Sequence, residues 1–283
     1  MDSQGIIQSI FGVPRALIGM VHLGALPGTP SNTDRLSEIC RGAVAEARQL
    51  RETGFNAIML ENMHDRPYLK RQVGPEIVAS MAVVGQAIQA ESGLPTGIQI
   101  LGGANHEALA VAQACGGSFI RAEAFVFAHA ADEGLMEADA GDLLRYRKTI
   151  GAEDIKIFTD IKKKHASHAL TADVDLAETA RAAEFFLADG VVVTGTATGR
   201  SANPKEVETI RQAVTIPTLV GSGLKPENLA QFASADGFIV GSSFKQDGLW
   251  SNSQDTARME SLVKAFEALE PPQVETRKAL SEE

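Results

Sequence analysis

The sequence predicts a single (β/α)₈ barrel, and three observations support this fold class. Eight short apolar runs alternate with helical patterns along the chain, which is typical of parallel βαβ units. The runs show no polar alternation, as expected for strands covered on both faces. The last two runs each stop at a Gly-Ser turn, where barrels of this kind commonly bind phosphate. A doubly wound open sheet is the alternative, but the Gly-x-Gly-x-x-Gly first turn typical of that fold is absent from the sequence.

Three segments are expected along the chain. Residues 1–14 form a helical extension whose apolar residues at helical spacing are Ile6, Ile7, Ile10 and Phe11. This extension is expected to close the bottom of the barrel, which covers residues 15–270. The polar tail after Pro271-Pro272, residues 271–283, is expected to be frayed.

The predicted elements follow from local periodicity and from turn residues. The strands are predicted at residues 16–21, 56–60, 97–101, 118–124, 155–161 and 190–194, and in the runs ending at Gly221-Ser222 and Gly241-Ser242. The helices are predicted at residues 3–12, 36–50, 76–91, 107–114 and 255–269, through Leu143 and Leu144, and from Lys225-Pro226 onward. Residues 128–139 are expected to form a long polar loop.

Composition restricts the partners of this protein. The net charge is -10 and the pI is near 5.2, which excludes the basic surface that nucleic acids and anionic membranes favour. The two cysteines, Cys40 and Cys115, do not form a disulfide framework, so a reducing compartment is expected. No apolar run is long enough for a membrane span, and the N-terminus lacks the basic start of a signal peptide. We therefore expect a cytoplasmic protein without a membrane span.

Reactive side chains collect after the predicted strands, where the active sites of barrels lie. His22, Glu61 and Asp160 end strands one, two and five and are predicted to transfer protons. Arg121 is expected to counter negative charge, and His165 completes the predicted catalytic set. The alternative is that the same residues hold a divalent cation such as Mg²⁺. The metal interpretation is weaker because strand one is not followed by a His-x-His pair.

The lysine run after strand five has two interpretations. It forms a solvated charge patch, or Lys162 shares the face of Asp160 by strand alternation and points into the mouth of the barrel. In the second case Lys162 would bind a phosphate or form a Schiff base.

A phosphate site is predicted at the turns after strands seven and eight, because glycine lets backbone N–H groups approach an anion closely. The predicted phosphate-binding residues are Gly221, Ser222, Gly223, Gly241, Ser242 and Lys245. Other predicted ligand-loop residues are Asn62, Asp65, Thr194, Gly195 and Thr198. The alternative is that the small residues at these turns serve tight packing only.

Several motifs occur in a fixed order from about residue 15 to residue 268. They are Met20-Val21-His22-Leu23 with Leu26-Pro27-Gly28, Glu61-Asn62 with Asp65, Thr159-Asp160-Ile161, Lys164-His165-Ala166, Val193-Thr194-Gly195 with Thr198-Gly199, Gly221-Ser222-Gly223 with Asn228, and Asp236-Gly237 through Phe244-Lys245. In these motifs the chain resembles the BtpA/SgcQ family. The resemblance implies a ribulose-phosphate-binding-type barrel. Some members are associated with photosystem I biogenesis, and others occur near sugar-metabolism genes.

The chain departs from the family pattern in two places. Ser253-Gln254 stands where Pro-Val is expected, and Lys162 stands where histidine is commoner. The resemblance therefore implies no ligand role for Lys162.

Two functions follow as hypotheses. The first is an enzyme that acts on a phosphorylated sugar or nucleoside-type small molecule by isomerisation, epimerisation or glycosidic-bond chemistry. The second is a non-catalytic assembly factor of the photosystem I biogenesis type, and a lesser third is a sensor of a phosphorylated metabolite. We expect a homo-oligomer by analogy with other barrels of this class.

Overall fold

The computed structural model describes residues 3–195 and 201–270. Its strands are β1 (Ala16–His22), β2 (Ala57–Glu61), β3 (Thr96–Gln99), β4 (Phe119–Ala122), β5 (His129–Ala131), β6 (Gly134–Met136), β7 (Lys156–Ile161), β8 (Ala166–Ser167), β9 (Gly190–Thr194), β10 (Thr218–Gly221) and β11 (Gly237–Val240). Eight of them form a closed parallel barrel in the order β1-β11-β10-β9-β7-β4-β3-β2. The predicted fold class is confirmed.

The barrel closes because β1 pairs with both β2 and β11. Ile18 lies opposite Ala57 of β2, and Ala16 lies opposite Gly237 of β11. The strands are buried along nearly their whole length, which explains their apolar sequences without alternation.

Helices alternate with the barrel strands. They are α1 (Ser3–Phe11), α2 (Leu36–Thr53), α3 (Pro75–Ser92), α4 (Asn105–Cys115), α5 (Ala140–Thr149), α6 (Leu176–Phe185), α7 (Pro204–Ala213) and α8 (Thr256–Glu267). Local chemistry sets several of their ends. Gly54 takes the left-handed conformation after α2, and the side chains of Asn203 and Asp255 cap α7 and α8. None of these helices is long and apolar enough to cross a membrane.

Two connections differ from the predictions. The helix predicted from Lys225 onward is only a 3₁₀ turn, Leu229–Phe232, and the Asn228 side chain accepts a hydrogen bond from the Lys225 N–H just before it. The loop predicted at residues 128–139 contains the β5–β6 hairpin, and β5 also pairs with β8. Strands of two or three residues are too short for periodicity to reveal.

Helix α1 closes the bottom of the barrel. Ile7 is fully buried, and the Phe11 ring packs edge-on against Phe119 and stacks on Phe158, with centroids 5.4 and 6.5 Å apart. These rings belong to an interior cluster with residues of β1, β2, β9, β10 and β11. The division at residues 14 and 270 stays a prediction, and the tail, residues 271–283, lies outside the described ranges.

Two glycine-to-alanine substitutions test the interior packing. In β3, a Cβ on Gly97 would lie 2.3 Å from the Phe119 ring, whereas a Cβ on the exposed Gly42 of α2 would meet nothing within 4 Å. We expect Gly97→Ala to lower the free energy of unfolding by about 1–3 kcal/mol through overpacking. Gly42→Ala should raise it by up to about 1 kcal/mol through helix propensity. Urea denaturation measures both, and equal effects of the two changes would contradict the packing around Phe119.

Candidate active site

A cavity of about 900 Å³ opens at the carboxyl ends of the barrel strands. One side is lined by His22, Glu61, Arg121 and Lys164, from the ends of β1, β2 and β4 and the turn after β7. The other side is formed by residues 222–227 after β10 and residues 239–243 at the end of β11. Trp250 and the start of α8 complete the wall. The cavity therefore brings members of the predicted catalytic set together with the predicted phosphate-binding turns.

His22 and Glu61 form a buried pair because β1 and β2 place them opposite each other in register. The His22 Nε2 atom lies 3.5 Å from Glu61 Oε2, and both side chains are less than a tenth exposed. The His22 Nδ1 atom lies 3.2 Å from the Trp250 carbonyl oxygen, which can only accept, so Nδ1 carries the proton. Nε2 is then unprotonated and faces Glu61.

Burial sets the protonation of this pair. Burial, assisted by the nearby Lys245 cation, lowers the pKa of His22 to about 3. Burial also raises the pKa of Glu61, against the opposing effects of Lys164 and Arg121. The pair is therefore a neutral imidazole beside a carboxyl group that takes up a proton readily, and not an ion pair.

Arg121 and Asp160 form a second buried pair on β4 and β7. The Arg121 Nε and Nη2 atoms donate to the two Asp160 carboxylate oxygens at 2.9 and 3.0 Å. Burial opposes the charge of Arg121, but Asp160 and then Glu61 outweigh it and raise its pKa. Asp160 does not line the large cavity. The prediction that Asp160 transfers protons there is thus corrected: it holds Arg121 at the cavity wall.

The lysine turn after β7 departs from strand geometry. Lys162 takes a left-handed backbone conformation with φ of 53°, so alternation does not continue past β7. Its ammonium group donates to the Val174 carbonyl oxygen at 2.6 Å instead of entering the cavity. His165, also left-handed, is exposed and does not line the cavity. The predictions of a mouth-facing Lys162 and a catalytic His165 are therefore not supported.

Lys164, which belongs to a motif shared with the family but was assigned no role in the site, is the lysine of this turn that lines the cavity. Within residues 3–195 and 201–270 its ammonium group has no hydrogen bond and no ion pair. Burial and then the Arg121 cation lower its pKa, while Glu61 and Asp160 act in the opposite direction.

The turns after β10 and β11 bring backbone to the cavity wall. Ser222 and Gly223 are consecutive left-handed residues with φ of 71° and 63°, and both line the cavity, as do Gly241 and Ser242. A Cβ on Gly241 would lie 3.1 Å from the His22 ring, so a larger residue here would require the ring or Met20 to shift by a few tenths of an ångström. Gly221 is buried within β10 and does not line the cavity.

Lys245 does not serve the predicted anion site. It is only 1% exposed, and its Nζ atom lies 2.8 and 2.9 Å from the carboxylate oxygens of Glu46 on α2. The chain turns through a 3₁₀ segment, Ser242–Phe244, that directs Lys245 away from the cavity. Its role is therefore corrected to fastening the loop after β11 onto α2.

Two of the predicted ligand-loop residues, Asn62 and Asp65, form hydrogen bonds within the scaffold and lie away from the cavity wall. Asn62 donates to Asp65, Asp65 accepts from the Leu26 N–H, and Asn62 accepts from the Leu101 N–H, at 2.7 to 2.9 Å. Neither Asn62 nor Asp65 lines the cavity, which corrects that prediction.

Two further ligand-loop predictions lie at the end of β9. Thr194 and Gly195 are described but do not line the cavity. The Thr194 hydroxyl is buried without a partner among the described residues. Thr198 lies outside the described ranges.

His22, Glu61 and Asp160 do not fit the Mg²⁺ ion that the sequence offered as an alternative. Among the described residues, no group of three or more His, Cys, Asp and Glu side chains could hold a metal ion. The Asp160 carboxylate is already paired with Arg121, and the side chains of Arg121 and Lys164 line the cavity beside Glu61 and His22. This side of the cavity is suited to an anionic ligand.

Sequence reasoning also missed Trp250 and Arg258, which line the wall. The Trp250 ring is tilted by 52° against the His64 ring, with centroids 4.8 Å apart, and the Arg66 guanidinium lies 5.3 Å from the Trp250 ring centre. The sequence did contain features that could have pointed to these two residues. Trp250 is the single tryptophan of the chain, and Arg258 lies in the segment that resembles the family.

Fold and site define a (β/α)₈ barrel protein with a polar cavity at the carboxyl ends of its strands. Residues 13–268 match the BtpA family, so the chain belongs to that family. It is 46% identical to the mitochondrial protein F13E9.13 of Caenorhabditis elegans, over 95% of this chain and 99% of that one. It is 34% identical to the photosystem I biogenesis protein BtpA of Synechocystis, over 90% and 89% of the two chains.

Solved structures show the same fold at low sequence identity. Tryptophan synthase of Mycobacterium tuberculosis is 18% identical with a TM-score of 0.59, covering 94% of this chain and 98% of that one. Orotidine 5'-phosphate decarboxylase of Pyrococcus horikoshii is 14% identical with a TM-score of 0.56, covering 89% and 99%. Phosphoribosyl anthranilate isomerase of Thermus thermophilus is 11% identical with a TM-score of 0.55, covering 90% and 100%.

The protonation of His22 is testable by ¹⁵N NMR on histidine-labelled protein. We expect Nδ1 to carry the proton and Nε2 to stay unprotonated from about pH 8 down to about pH 5, since the pKa of His22 is about 3. Titration of His22 near its ordinary pKa would contradict this assignment. His22→Asn identifies the resonance.

The same pKa shift affects stability in acid. Because the folded pKa lies below the unfolded one, the unfolded chain binds the proton first, and His22 destabilises the fold as the pH falls from about 6.5 towards 3. His22→Asn should lose less stability than the wild type in this window, by up to about 1.4 kcal/mol per pH unit. The raised pKa of Glu61 reduces this difference where the two groups share a proton. Chemical denaturation at several pH values measures it, and parallel pH profiles would contradict the assignment.

Proposed function

We propose that this protein is an enzyme that transfers protons on a phosphorylated small molecule. The observation that carries this proposal is a single cavity with a buried His22–Glu61 pair on one side and the turns at residues 222–223 and 241–242 on the other. A phosphate on these turns would place the rest of the ligand against the pair. The volume of the cavity, about 900 Å³, suits a sugar phosphate or a nucleotide.

The side chains at the reacting end have complementary chemistry. Glu61, whose pKa is raised, can donate a proton and take one back, and the unprotonated His22 Nε2 beside it can accept a hydrogen bond from its carboxyl group. Arg121 is fixed by Asp160 and can stabilise negative charge that develops on a substrate oxygen. Such a set suits isomerisation, epimerisation or glycosidic-bond chemistry.

The names of two structural neighbours support a phosphorylated ligand. Orotidine 5'-phosphate decarboxylase and phosphoribosyl anthranilate isomerase have phosphorylated compounds in their names, and both share the barrel. Their identity to this chain is below 15%, so the likeness itself gives the fold, and the ligand class rests on the cavity.

An assembly role is the second candidate, and two observations favour it. One relative is named a photosystem I biogenesis protein. Phe185, Phe186 and Leu187 at the end of α6 are 82%, 48% and 67% exposed, although such residues are normally covered. If assembly is the function, Phe185→Ser with Leu187→Ser would abolish complementation of a deletion strain, whereas cavity variants would complement. The enzyme proposal expects the reverse.

Two other expectations stay predictions. The homo-oligomer awaits a measurement of mass in solution. Since the C. elegans relative is named a mitochondrial protein, the cytoplasmic location also stays a prediction.

Ligand binding can be followed through Trp250, the single tryptophan, which lines the cavity. We expect its fluorescence to change on titration with ribulose 5-phosphate, glucose 6-phosphate or AMP, and inorganic phosphate to compete. Ser242→Asp places a negative charge at the turn and should weaken binding about tenfold or more, equivalent to about 1.4 kcal/mol. Ser242→Asn has a similar volume without the charge and should bind nearly as the wild type does. Equal binding by both variants would place the phosphate elsewhere.

The acid role of Glu61 has a separate test. Glu61→Gln preserves the shape of the side chain and removes its titrating proton. With any compound that changes the Trp250 signal, solvent deuterium incorporation measured by NMR should fall by about 10²–10⁴-fold. Fluorescence affinity should stay close to the wild-type value. Loss of both together would indicate that Glu61 is structural. The exposed Glu52→Gln on α2 controls for loss of carboxylate charge.

A further inference from the structure

The three consecutive lysines after β7 have different environments. The Lys162 Nζ atom donates to the Val174 carbonyl oxygen at 2.6 Å. The Lys163 Nζ atom lies 3.2 Å from Glu123 and 3.4 Å from Glu133. Lys164 lines the cavity and has neither a hydrogen bond nor an ion pair in the part of the chain described. Two of the amines are thus held by the protein, and the third faces the cavity.

The backbone of the turn produces this separation. Lys162 and His165 are both left-handed, with φ of 53° and 54°, a conformation that is uncommon for residues other than glycine. Strained residues of this kind persist where the surrounding structure holds them, and they cluster at functional sites. Here they frame Lys164, which enters the cavity beside Glu61 and Arg121.

We propose that Lys164 is a nucleophile that forms an imine with the carbonyl carbon of the substrate, so that the substrates are phosphorylated aldehydes or ketones. This inference rests on the proposed function and defines its substrate class. A buried amine next to another cation is a recognised means of keeping lysine neutral and nucleophilic. Arg121 provides that cation, and burial and Arg121 lower the pKa of Lys164.

Neighbouring groups can complete the step. The neutral Lys164 amine attacks the carbonyl carbon, and a proton moves from nitrogen to oxygen to give a carbinolamine. Glu61 then donates its proton to the hydroxyl group, which leaves as water while the nitrogen lone pair forms the C=N bond. The products are a cationic iminium, a Glu61 carboxylate and water, so atoms and charge balance. The Glu61 carboxylate can next accept a proton from the carbon beside the iminium, while His22 Nε2 lies 3.5 Å from that carboxylate.

Another role for Lys164 is possible on the same geometry, since an ammonium group can bind an anion without reacting. The two roles differ in one property. An arginine at this position would preserve anion binding but could not form an imine.

Pyridoxal 5'-phosphate is a suitable probe because it has both an aldehyde and a phosphate. The protein is incubated with it near neutral pH, reduced with borohydride and mapped by peptide mass spectrometry. We expect the reduced adduct on Lys164 under conditions in which the exposed Lys70 stays unmodified. Lys164→Arg should abolish this adduct. Lys163→Arg, which preserves the ion pairs of that position, should leave it intact.

The outcomes separate this inference from the proposed function. Modification of Lys70 with Lys164 unmodified overturns the imine proposal, as does an adduct that survives in Lys164→Arg. Suppose that happens while phosphorylated compounds still change Trp250 fluorescence in the wild type and bind Ser242→Asp more weakly. The proposed function then stands, and Lys164 is an anion-binding residue. If Lys164 forms the adduct at the same rate in Ser242→Asp and wild type, the nucleophile stands and the phosphate site fails.

Discussion

The pairing of β1 with both β2 and β11 is the constraint on which the site depends. Its register sets His22 opposite Glu61, and the pairing of Gly19 with Val240 brings Gly241 against the His22 ring. A shift of one residue along β1 would turn every side chain of the strand to the other face. The proton-transfer pair and the turn after the last strand are neighbours only because the barrel closes at this seam.

Charge pairing explains which polar side chains remain available at the mouth. Buried charges are costly unless they are paired, so most of them have partners fixed by the fold. Asp160 is paired with Arg121, Glu123 with Lys163, and Lys245 with Glu46. His22, Glu61 and Lys164 lie against the cavity. Burial shifts each of their pKa values in the direction that favours the neutral form.

The chain belongs to the BtpA family and shares its architecture with other barrels, while the chemistry has to come from the site. Barrels of this fold host many reactions because loop residues vary on a constant core. In this chain two strand-end residues, a strained lysine turn and two glycine-serine turns face one cavity. The enzyme for phosphorylated carbonyl compounds that we propose would use all of them together.

The sequence by itself determined the strands, most helices and the end of the barrel at which polar residues collect, because burial on both faces and helical periodicity are local patterns. It identified His22, Glu61 and Arg121 by their position at strand ends. Only the tertiary structure decided which residues face the cavity. Alternation failed at Lys162 because the backbone turns left-handed there. Lys245 was misassigned because its partner, Glu46, lies 199 residues away and no local pattern encodes that contact.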